Sequence, residues 1–138
     1  MSNLKKWILY IPALILVFIY AGHAWGGLMQ DPEFIELVGT LGFSEEITKY
    51  LVYLVFILDG AVVLLILFGS RITNLSWKFV YLWAGLWPWI PRYLEIQGGH
   101  ESEWGEALFI TILAFIAYKL HTTKNIKLFP KKEQYLYQ

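Results

Sequence analysis

Residues 45–69 read EEITKYLVYLVFILDGAVVLLILFG. From Leu51 to Gly69 they carry one charged side chain, Asp59, among Leu, Val, Ile and Phe. A helix needs about 20 mostly apolar residues to cross the hydrocarbon of a bilayer, and this run supplies them. It also has a start. Ser44 stands where an N-cap would, and Glu45 and Glu46 fill the first turn, where the helix dipole favours anions.

Three more segments read the same way on either side, about residues 4–25, 77–97 and 103–121. The first has no charged residue between Lys6 and Asp31. Lys5, Lys6 and the small-residue stretch Gly22-His23-Ala24 also fit a secretory leader, but the apolar run is long enough to span, and a retained membrane helix is expected. The third carries Pro88 and Pro91 and stops at Gly98-Gly99, and the fourth has Ser102 as its cap. Composition agrees: 57% of the 138 residues are hydrophobic and 16% are charged, and mean hydropathy is +0.50. A water-soluble domain of this size cannot hide so much apolar surface. The eleven basic residues equal the eleven acidic ones, so no basic field points to nucleic acid. Without cysteine there is no disulfide, thiolate metal site or thiol nucleophile. The expected fold is all-α: an integral membrane four-helix bundle over residues 1–121, with a basic tail over residues 122–138.

Charge placement orients it. Nine of the eleven basic residues fall at the N-terminus, in the turn between the second and third helices, or at the C-terminal end. Nine of the eleven acids fall on the opposite side. By the positive-inside rule both termini, and so the tail, are cytoplasmic. The one long outer connection, residues 26–44, contains Asp31-Pro32 as N-cap and first position of a short amphipathic helix ended by Gly39. That helix either lies flat at the membrane interface or covers the mouth of the bundle.

Ionisable groups in membrane helices are costly and tend to face a bundle interior or a partner. His23, Asp59, Arg92 with Glu95, and Glu106 put at least one polar group per helix into the outer half. Each alone can be structural; their occurrence on one side points to a site. An isolated ion at the depth of Asp59 costs at least about 2.5–3.5 kcal/mol, so Asp59 should face inward and hydrogen-bond a Tyr, a Trp or Arg92. The third helix is crowded with aromatics around its prolines: Tyr81, Trp83, Trp87, Trp89 and Tyr93. Prolines remove backbone donors and kink the helix. The result is either a groove suited to a quinone ring, polyprenyl chain or porphyrin, or a face packed on lipid or a partner subunit. Haem b would need His23 and His100 to face each other. His100 with Glu101, Glu103 and Glu106 is the alternative cation set, although no recognised metal-binding spacing is present.

The chain resembles the DoxX-like family of small four-helix membrane proteins. The matching features are Ala21-Gly22, Phe34 in the outer segment, Leu41-Gly42-Phe43, and Leu58-Asp59-Gly60-Ala61 leading through an apolar run to Gly69-Ser70-Arg71. The family commonly has Glu at the position of Asp59, and Lys where this chain has His23-Ala24-Trp25. The resemblance covers about residues 7–121 and implies a membrane subunit associated with redox complexes, thiosulfate:quinone oxidoreductase among them.

The first functional expectation is therefore an anchor or accessory subunit of a respiratory or redox complex, in a prokaryotic plasma membrane, contacting lipid and other membrane-protein subunits. The alternative is a self-contained quinone- or haem-binding redox protein. A transporter is a weaker third, since four helices lack the usual inverted repeat. The candidate cofactor-binding residues are His23, Asp59, Trp83, Trp87, Arg92, Tyr93 and Glu106.

Overall fold

The computed structural model describes residues 3–72, 77–97 and 104–124. Every element among them is a helix: α1 (Asn3–Leu28), α2 (Pro32–Gly39), α3 (Glu45–Ile72), α4 (Trp77–Leu86), α5 (Trp89–Gln97) and α6 (Trp104–Lys124). Three stretches are long and apolar enough to cross a membrane: Trp7–Leu28, Glu45–Gly69 and Trp104–Thr123. Their outward faces carry Phe18, Trp25, Ile57 and Phe115, all largely exposed. A water-soluble monomer rarely shows so much contiguous apolar surface, whereas lipid solvates it. The chain is built as a membrane protein.

Local chemistry sets the helix starts. The Ser44 hydroxyl accepts from the Ile47 N–H at 3.3 Å, and its carbonyl accepts from the Thr48 N–H at 2.9 Å, which caps α3. The Asp31 carboxylate accepts from the Glu33 N–H at 2.9 Å, with Pro32 at the first position of α2. Between α1 and α2 the chain reverses through Gln30 in a left-handed conformation (φ 55°). The Gln30 amide donates to the carbonyls of Gly27 and Lys49, tying that turn to α3.

Lipid offers no hydrophobic drive between helices, so close packing through small residues has to hold them. α1 crosses α3 at Gly27, where an added Cβ would stand 2.7 Å from the Phe56 amide nitrogen and 3.0 Å from the Val52 carbonyl oxygen. α4 meets α6 through Gly85 and Ala84 on one side and Ala107, Ala114 and Ala117 on the other, all buried. α1 also packs on α6 and joins the two pairs. Leu16, Tyr20, Ile66 and Ile110, each fully buried, form the common core.

The segment expected as one kinked helix over residues 77–97 is two helices, interrupted by a turn at Trp87 and Pro88. The cause is backbone accounting. Pro88 has no N–H for the Ala84 carbonyl four residues back, and Pro91 has none for that of Trp87. Ala84 instead accepts the Tyr20 hydroxyl of α1 at 2.5 Å. Trp87 accepts the Ile90 N–H at 3.2 Å. The neighbouring Gly85 carbonyl takes the Thr111 hydroxyl of α6 at 2.8 Å, and the Thr111 oxygen accepts the Trp89 indole N–H at 2.8 Å. Non-helical backbone at membrane depth is tolerated when protein groups serve it in this way.

Gly98-Gly99, Ser102, His100 with Glu101 and Glu103, and the tail beyond Lys124 lie outside the described residues.

Candidate functional site

His23 stands a little over one turn from the end of α1, three residues after Tyr20 and so on the same face. α3 presents Asp59 from its middle, and α6 presents Glu106 from its first turn. The packing of α1 against both helices brings these three together. His23 Nε2 lies 3.1 Å from Glu106 Oε1, a hydrogen bond. His23 Nδ1 lies 3.9 Å from Asp59 Oδ2, within ion-pair range but longer than a hydrogen bond. The imidazole thus bridges two carboxylates on different helices, one on each ring nitrogen.

Exposure falls along the line. The Glu106 side chain is 43% exposed, that of His23 35%, and that of Asp59 1%. Trp87, at the α4–α5 break, supplies a side-chain hydrogen bond to Asp59, and its indole can only donate. Asp59 is therefore turned into the bundle with a Trp as partner. Its Oδ1 is buried with no hydrogen-bond partner among the described residues. Tyr20 and Phe34 set their rings edge-on to His23, with centroids 6.2 and 6.3 Å away. Phe34 comes from α2, which packs on α3 and α5 and so covers the bundle mouth. Gly26 makes room for it, since a Cβ there would stand 2.9 Å from the Phe34 ring.

Other candidate residues are placed differently. Trp83 stacks on Trp87 at 5.0 Å, so the two rings face each other instead of opening a slot between them. Arg92 on α5 is half-buried and Tyr93 is exposed. The apolar groove, about 370 Å³, lies between α4 and α6 and is lined by Leu82, Gly85 and Leu86 on one side and Thr111, Ala114 and Phe115 on the other. Tyr81 is the member of the proline-flanking aromatic set that reaches it. His121, at the opposite end of the bundle, is buried edge-on against Tyr81 at 6.1 Å.

Two carboxylates on opposite edges of one ring flank that ring and do not converge on a point. Among the described residues there is no group of three or more His, Asp or Glu that could hold a metal ion. Both His23 nitrogens face carboxylates, which leaves neither turned toward a haem iron in this arrangement. What the cluster can do is accept, hold and pass protons. Sequence reading placed His23, Asp59 and Glu106 at one end but did not join them through the imidazole. It missed Tyr20 and Thr111, whose signals are a polar tip on the His23 face and a hydroxyl set within the apolar run between Glu106 and Tyr118.

The chain matches no family model, no curated protein and no solved structure.

Proposed function

We propose that the chain is a DoxX-like, four-span integral membrane protein acting as an anchor or accessory subunit of a respiratory or redox complex. In this reading α4 and α5 together make the third of four crossings: residues 77–97 would span up to about 31 Å at 1.5 Å per residue, somewhat less across the Trp87-Pro88 turn. Both termini are cytoplasmic by the distribution of Lys and Arg, which places the His23 end on the outer face of a prokaryotic plasma membrane. The observation that carries the reading is Asp59, fully buried at mid-span and held by Trp87 and His23. An ionisable group so placed marks a functional site by default. Lipid and partner subunits cover the apolar exterior, and a quinone at the outer end would find proton-handling groups within reach.

Purification from mild detergent tests this directly. Stoichiometric partner polypeptides, one of them a redox protein, are the expected result. A monodisperse 16.1 kDa species carrying full redox activity by itself would overturn it.

A second reading, a self-contained quinone-binding protein, is favoured by the groove between α4 and α6, which is apolar and has the volume to take part of an isoprenoid tail. Solvent extraction of the purified protein separates the two, since this reading requires about one quinone per chain and the accessory reading does not.

A further inference from the structure

We propose that Glu106, His23 and Asp59 form a proton relay through which the buried Asp59 carboxylate exchanges its proton with water at the α2 end of the bundle. The inference rests on the membrane reading above but not on a partner complex.

Three observations support it. The order of exposure, Glu106 then His23 then Asp59, is that of a path from solvent to interior. The imidazole presents a different nitrogen to each carboxylate, and it can carry a proton on either nitrogen or on both. Asp59 keeps one buried oxygen, Oδ1, with no hydrogen-bond partner among the described residues, where a purely structural carboxylate would be fully engaged.

The transfer balances. The start is two carboxylates and a neutral imidazole protonated on Nδ1. A hydronium ion at the outer surface protonates Glu106 and leaves as water; the Glu106 proton passes to His23 Nε2 while the proton on Nδ1 passes to Asp59 Oδ2. Glu106 and the imidazole end with their starting charges, Asp59 ends as the acid, and no bond to carbon changes. Rotation of the ring, or the reverse transfer, resets the tautomer. The 3.1 Å step is already a hydrogen bond, whereas the 3.9 Å step must close by roughly 1 Å.

The neighbours do not short-circuit the path. The Tyr20 hydroxyl is committed to the Ala84 carbonyl. α2 offers the apolar Phe34 ring to His23, and the turn between α4 and α5 offers Asp59 the Trp87 indole, which holds the carboxylate without titrating.

Infrared spectroscopy on the full-length protein in lipid nanodiscs tests the relay. Across acidic to neutral pH, a protonated-carboxyl band that Asp59→Asn removes identifies Asp59. On transfer to D2O that band shifts promptly in the wild type. His23→Phe slows the shift by about 100-fold or more, the order a positioned proton carrier contributes. His23→Gln, which keeps hydrogen-bonding capacity and folds if Phe does not, slows it equally. Glu106→Gln slows it less, because water also reaches His23. A shift as fast in His23→Gln as in the wild type overturns the relay, and so does the lack of any band removed by Asp59→Asn. Either failure would leave copurification of partners untouched, and lone purification would leave the relay standing.

Discussion

The hydroxyl of Tyr20 on α1 serves the carbonyl of Ala84 on α4, the one that Pro88 leaves without its helical donor. The break in α4 and the polar tip on α1 are one structure, although 64 residues separate them in the chain.

Tyr20→Phe strands the Ala84 carbonyl in a buried site, and the loss should be about 1 kcal/mol, within the range measured for membrane hydrogen bonds. Pro88→Ala restores an N–H to that carbonyl. The double variant should therefore lose less stability than the two single losses added together, as read by denaturation in mixed micelles. Strict additivity would show that the two residues are not coupled.

Gly27 should be intolerant of alanine and Gly85 tolerant of it. At Gly27 the new Cβ meets α3 backbone at 2.7 Å, so the helices must separate. A cost of about 1–3 kcal/mol follows from overpacking, along with weakened α1–α3 association. At Gly85 the Cβ meets that of Ala114 at 3.5 Å, an ordinary contact, and stability should stay within about 0.5 kcal/mol of wild type.

Thr111 joins α4, α5 and α6 through one oxygen. Thr111→Val keeps the shape but strands the Gly85 carbonyl and the Trp89 indole, and should cost about 1–2 kcal/mol. Thr111→Ser should recover most of it. Tryptophan fluorescence of the Trp89 environment and mixed-micelle unfolding report both.

Asp59→Asn keeps an acceptor for Trp87 and should leave the folded yield nearly unchanged. Asp59→Leu removes that acceptor, leaves His23 facing apolar surface, and should lower stability by about 1–3 kcal/mol. Size-exclusion profiles and thermal melts in detergent distinguish the two. Equal loss in both variants would mean that the negative charge itself holds the helices.

Much of this was legible in the residues, element by element. The apolar run after Ser44 gave α3 its start, and Asp31-Pro32 with Gly39 bounded α2. The depth of Asp59 required an inward turn and a polar partner, and Trp87 is one of the three kinds of partner anticipated. The prolines announced a disturbance at residues 88–91, but a kink and a full break differ by whether distant donors serve the freed carbonyls. Those donors, Tyr20 and Thr111, sit on other helices, and no local pattern reveals that they arrive. The bridging role of His23 was hidden for the same reason. It depends on the relative rotation of α1, α3 and α6, which is set by packing at Gly27 and by the buried alanines.

The Tyr20–Ala84 bond has a consequence for biogenesis. α1 and α3 come from the first half of the chain and leave the ribosome before α4 is made. By the time the Pro88 turn enters the bilayer, its hydroxyl donor can already be in place. The N-terminal pair thus acts as a template on which the C-terminal pair is completed. If the two halves are made as separate polypeptides, the second should persist in the membrane only when the first is present, and Tyr20→Phe in the first half should weaken that rescue.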